Sequence, residues 1–115
     1  ENINKTVFME AVIMQMTWTG SPTIYYGDEA GVCGWTDPDN RRTYPWGNED
    51  HELIDFHKAA IRMHKENRAL IHGSFKPLLA EYNLISYGRF IENNVIIVVV
   101  NNNDDEKHAK ILKKV

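Results

Sequence analysis

With 115 residues, 43% of them hydrophobic and 25% charged, the chain has the length of one ordinary domain and the composition of a folded one. A net charge of −3, without a basic stripe interleaved with aromatics, argues against nucleic acid or an anionic membrane as partner. The single cysteine, Cys33, excludes an intrachain disulfide and a cysteine-rich zinc site, and a lone thiol suits a reducing compartment such as the cytoplasm.

Asn4 has the side chain of a helix N-cap, and the residues after it predict a helix to about Thr17. Val7, Ala11, Met14 and Trp18 recur at i, i+4, i+7 and i+11, which makes one apolar stripe. Phe8, Met9, Val12, Ile13 and Met16 add apolar surface on the other sides, so the helix is expected to be covered by neighbours; the alternative is a methionine-rich interaction helix. The run Val7 to Trp18, interrupted by Glu10 and Gln15, is short of the roughly 18–20 residues a membrane span needs.

Thr19-Gly20-Ser21-Pro22 ends the helix. Thr23 to Tyr26 predicts a short strand; it does not alternate apolar with polar, as in a parallel strand covered on both faces. Gly27 to Gly47 has no periodicity, and connections that long are usually functional or disordered. Its Trp35, Tyr44 and Trp46 argue against disorder, and Asp37-Pro38-Asp39-Asn40 suits a tight turn with proline at its second position.

A second helix is predicted from about Asp50 to Asn67, capped by Asn48 or Asp50. Acids crowd its start and bases its second half, as the helix dipole favours, and Leu53, Ile54, Phe56, Ala60, Ile61 and Met63 supply its buried face. A domain boundary is expected near Leu70 to Gly73. Strands follow at Phe75 to Ala80, Leu84 to Phe90 and Val95 to Val100, with a hairpin tip at Asn93-Asn94 and the apolar Val95 to Val100 run central in its sheet. The chain opens without methionine and closes on His-Ala-Lys-Ile-Leu-Lys-Lys-Val, the beginning of an element; a piece of a longer protein is expected.

Two constellations invite chemistry. His51-Glu52-Leu53-Ile54-Asp55 is close to the zinc motif H-E-x-x-H, but Asp55 replaces the second histidine and no third ligand is evident, so neither metal nor cofactor is expected. His57 and His64 are expected at the helix surface or an interface. Asp28 and Glu29 stand at the end of the predicted strand. Adjacent strand residues point to opposite faces, so the two cannot flank one glycosidic bond at the roughly 5–5.5 Å of a retaining pair. One faces a site and the other supports it, or both are structural.

Gly20 to Trp46, GSPTIYYGDEAGVCGWTDPDNRRTYPW, resembles the last barrel strand and following loop of the α-amylase family, glycoside hydrolase family 13. The branch it most resembles is that of cyclomaltodextrinases, neopullulanases and maltogenic amylases, where G-x-P-x-I-Y-Y-G-D-E-x-G is followed by D-P-x-x-R-R and a Pro-Trp. The resemblance implies an α/β fragment: the last βα portion of a (β/α)8 TIM barrel, then part of an antiparallel β-sandwich domain. Residues 1–71 would be helix 7, strand 8, the long loop and helix 8; residues 72–115 would start the sandwich. The family's three catalytic acids lie on the fourth, fifth and seventh strands. No Asn-His-Asp-like triplet of the seventh occurs here, so no catalytic residue is assigned.

By the same resemblance Asp37 and Arg41 reach sugars, Glu29 approaches the site, and Trp35 stacks on a sugar or packs in the loop. The implied partner is an α-glucan oligosaccharide, cleaved at α-1,4 linkages by the parent enzyme. The rival is a non-catalytic sugar-binding or self-associating module, because a torn barrel edge exposes apolar surface and favours a homo-oligomer.

Overall fold

A computed structural model describes residues 4–34 and 36–103. Helix α1 spans Lys5–Thr17 and α2 His51–Glu66; short 3-10 turns at Asp28–Ala30 and Asp39–Arg41 lie between them. Helix α3, Arg68–His72, leads into strands β1 (Ser74–Glu81), β2 (Leu84–Ile91) and β3 (Asn94–Asn101). The chain divides into two compact units. One holds the described residues to Met16 and Ser21–Met63, the other Thr17–Gly20 and the described residues from His64 onward.

In the first unit Asn4 caps α1 as expected, its Oδ1 accepting the Val7 N–H at 3.3 Å. The buried stripe is not the expected one. Val12 and Met16 are buried, with Phe8 and Ile13 packed beside them against Ile24 and the α2 residues Phe56, Ala60 and Ile61. Ala11 is exposed and Val7 is 44% exposed. A helix apolar on every side has no preferred face, so its period does not say which stripe the neighbours take.

Thr23–Tyr26 forms no strand, against expectation. A parallel strand exists only through hydrogen bonds to neighbouring strands, and none is supplied among the described residues of this unit. The Thr23 carbonyl accepts from the Gln15 amide instead. Two left-handed glycines, Gly27 (φ 90°) and Gly31 (φ 83°), bracket the Asp28–Ala30 turn. Asp50 then starts α2. Its N–H donates to the Ala30 carbonyl at 3.0 Å, its Oδ1 accepts the Leu53 N–H at 3.2 Å, and its Oδ2 meets Lys5 Nζ at 2.7 Å.

Leu53, His57 and Ala60 make the buried line of α2. His57 is therefore inside, not on the surface. Its Nδ1 lies 2.8 Å from the Leu53 carbonyl and its ring 5.8 Å from that of Phe8. Backbone bonding lets an imidazole sit at a core position that its polarity alone does not predict.

The second unit holds an antiparallel sheet in the order β1-β2-β3. Its tight turns put Asn83 at φ 51° and Asn93 at φ 67°, a conformation asparagine takes readily. Asn94 already pairs with Ile91, so the second tip lies one residue earlier than expected. The central strand is β2, not the wholly apolar β3, which lies at the edge of the described sheet. Val98 and Val100 of β3 are buried while Val95, Ile97 and Val99 stay about half exposed. The polar residues of β2 can be central because they are bonded. Ser86 Oγ donates to the Val98 carbonyl at 2.8 Å, and the Tyr87 hydroxyl meets Thr17 Oγ1. Arg89, 2% exposed, donates from Nη1 to the Thr17 and Trp18 carbonyls and from Nη2 to that of Gly73, each at 3.0 Å.

Asn67 gives α3 no side-chain cap; Asn94, from β3, does, its Oδ1 accepting the Ala69 N–H at 2.8 Å. At Gly73 the chain passes so close to its neighbours that a Cβ would stand 2.2 Å from the Ala69 carbonyl oxygen and 2.8 Å from that of Phe90.

Candidate functional site

The loop from Gly34 to Arg42 gathers four charges. Its turn is Thr36 to Asp39, closed by the Asp39 N–H on the Thr36 carbonyl at 2.9 Å, with Pro38 third rather than second. The Arg41 N–H then donates to the Pro38 carbonyl at 3.0 Å, which winds residues 39–41 into a 3-10 turn. Gly34 lies flush against this turn: a Cβ there would come within 2.7 Å of the Asp39 carbonyl oxygen.

The charges are used unequally. Asp39 and Arg42 form a two-pronged pair, Nε to Oδ1 at 2.9 Å and Nη2 to Oδ2 at 3.0 Å. Asp37 and Arg41 are only loosely apposed at 3.9 Å, with side chains 74% and 63% exposed. So one ion pair shapes the loop, while a carboxylate and a guanidinium remain turned to solvent. Together they offer acceptors and directional donors in one place, the chemistry that polyhydroxylated ligands need.

Two hydroxyls fix the same loop from beneath. Tyr25 donates to the Asn40 carbonyl at 3.1 Å and Tyr26 to the Arg42 carbonyl at 2.7 Å. Sequence reasoning took both tyrosines only as strand formers; nothing local to them signals partners fifteen and sixteen residues on.

Glu29 is placed differently. Its Oε2 accepts the Gly27 N–H at 3.0 Å, and its side chain borders a groove of about 290 Å³ lined also by Ile24, Tyr26, Ile54, His57, Lys58 and Ile61. Partial burial pushes the Asp28 carboxyl up from its ordinary range; the charge of Glu29 adds to this and His57 opposes it. Trp35 lies outside the described residues. Trp46, 81% exposed, stands with its ring 4.6 Å from that of Tyr44. Among the described residues no three His, Cys, Asp or Glu side chains come together as a metal site, and His51 and Asp55 are both exposed.

No family model matches the chain. An amylopullulanase from Thermoanaerobacter thermohydrosulfuricus is 48% identical to it over 83 residues, 72% of this chain and 6% of that protein. Neopullulanase 2 from Thermoactinomyces vulgaris is 37% identical over 94 residues, 78% of this chain and 16% of that protein. Among solved structures, a cyclomaltodextrinase superposes with a TM-score of 0.81 at 39% identity, covering 87% of this chain and 18% of its own. A maltogenic amylase from S. marinus gives 0.77 at 40% identity, over 86% and 15% respectively. The chain thus spans less than a fifth of the length of each of these proteins.

Proposed function

We propose, since the matched segment of this chain belongs to the α-amylase family of glycoside hydrolases (family 13), that the chain is the part of a longer α-glucan hydrolase that walls the sugar site. Residues 1–71 are read as the end of the catalytic barrel and residues 72–115 as the start of the following β domain. The intact enzyme would cleave α-1,4 linkages with retention, through a glycosyl-enzyme intermediate, using carboxylates that this chain does not supply.

The observation that carries this reading is the sorting of charges in the loop. Asp39 and Arg42 satisfy each other, while Asp37 and Arg41 keep their hydrogen-bonding capacity toward solvent. Arg41 would donate to sugar hydroxyls and Asp37 accept from them. Glu29 and Trp35 complete the proposed substrate-binding set. A second reading, a self-associating or sugar-binding module without catalysis, draws on the half-exposed Val95, Ile97 and Val99 of β3.

Reducing-sugar release from maltotriose and β-cyclodextrin tests the first reading. This chain alone is expected to release none, and the intact enzyme to release it from both. Release by the 115-residue chain above a boiled control would refute it. Size-exclusion chromatography addresses the second: a clean monomer removes self-association.

A further inference from the structure

Tyr25 and Tyr26 are neighbours in the chain, yet their hydroxyls donate to two different carbonyls, those of Asn40 and Arg42. The residue between those carbonyls is Arg41. The two rings lie 4.9 Å apart, tilted by 42°, so each limits the other's rotation. From the far side the Asp39–Arg42 pair fixes the next residue, and Gly34 closes the turn from behind. Asp39, Asn40 and Arg42 are therefore held, while the Arg41 guanidinium is left 63% exposed.

We propose that Tyr25 and Tyr26 are positioning residues, a pair of phenol hydroxyls that fixes the backbone on both sides of Arg41 and so aims its guanidinium at an α-glucan. This rests on the reading of Arg41 as a sugar-binding residue. Neither hydroxyl needs to touch the sugar. Both are spent on carbonyls that would otherwise turn to water and leave residues 40–42 to be ordered by the ligand. Ordering them beforehand removes that cost from binding. The benefit is the same for bound substrate and for its transition state, so it falls on KM and not on kcat.

The test is made in the intact enzyme on maltotriose, with Tyr25→Phe, Tyr26→Phe and the two together, each with Arg41 present and with Arg41→Ala. Phenylalanine keeps the ring packing and removes only the hydroxyl. Losing one or two neutral hydrogen bonds predicts a KM raised roughly threefold to tenfold in the double variant, with kcat changed less than about twofold. In the Arg41→Ala background the same changes are expected to leave KM where it already is. An equal rise with and without Arg41 would overturn the proposal, since a general structural role does not need that side chain. An unchanged KM in the tyrosine variants beside a raised one in Arg41→Ala would overturn the clamp and leave the Arg41 reading intact. No effect of Arg41→Ala would remove both. If the double variant does not fold, the single variants carry the same comparison.

Discussion

Replacing Arg89 isolates what a buried guanidinium contributes to the sheet. Its three hydrogen bonds, to the carbonyls of Thr17, Trp18 and Gly73, each join a charged donor to a neutral acceptor. Taking the charge out of water costs several kcal/mol, and Nε is buried with no acceptor among the described residues, so these bonds largely offset a penalty. What truncation adds is three carbonyls left without a donor, at roughly 1 kcal/mol each a cost of about 2–4 kcal/mol, a large share of the ~5–15 kcal/mol that holds an ordinary domain together. Arg89→Met keeps much of the apolar stem and removes every donor, while Arg89→Lys keeps the charge but not the fork. Urea unfolding followed by far-UV circular dichroism is expected to show Arg89→Met losing most of that 2–4 kcal/mol and Arg89→Lys losing less. With a slope of ~1–3 kcal/mol per molar, the midpoint falls by about 1–3 M. A methionine variant within about 0.5 kcal/mol of the parent would refute this account of the site.

Asp28→Asn is expected to raise the melting temperature at pH 7. The folded-state pKa of Asp28 lies above its ordinary value of 3.8, so its contribution is fully present below that value and is lost as pH rises through the folded pKa. The gain from asparagine should therefore shrink as the pH falls toward 3.8, and a gain constant across the range would contradict the assignment. Asn94→Ala leaves the Ala69 N–H without its 2.8 Å acceptor and should cost about 1 kcal/mol in urea unfolding; a neutral result would show that another acceptor takes over. Gly34→Ala drives a methyl group into the Asp39 carbonyl at 2.7 Å, so the turn must shift. Trypsin is then expected to cut after Arg41 and Arg42 faster than in the parent, and an unaltered cleavage rate would mean the loop absorbs the methyl elsewhere.

What was legible in the sequence was local. The Asn4 cap, the start of α2 at Asp50 and the three strands depend on residues within a turn or two of one another, and the structure carries them within a few residues of their expected bounds. The i, i+4 spacing of Asp37 and Arg41 was equally readable. What escaped depends on partners far along the chain. Arg89 bonds residues 71 and 72 positions away, Asn94 caps a helix 25 positions away, and the tyrosine hydroxyls reach 15 and 16 positions forward. No periodicity encodes such choices. Composition also misled where it was uniform. An all-apolar helix does not announce its buried face, and an all-apolar strand does not announce whether it is central; β2 took that place with Ser86, Tyr87 and Arg89, each of whose side chains found at least one bond.

Gly73 constrains how this stretch of chain can vary. The two carbonyl oxygens a Cβ would strike, those of Ala69 and Phe90, belong to the backbone. A side-chain clash can be relieved by a smaller neighbour, but here no substitution elsewhere can make room. In a saturation library position 73 should accept glycine alone, while the exposed turn residues Tyr82 and Glu92 accept nearly anything. Recombination meets the same limit. A crossover that takes α3 from one parent and β2 from another joins two backbones whose spacing around Gly73 was set separately. Residues 69–73 and 84–91 are thus a unit of inheritance, to be moved together or not at all.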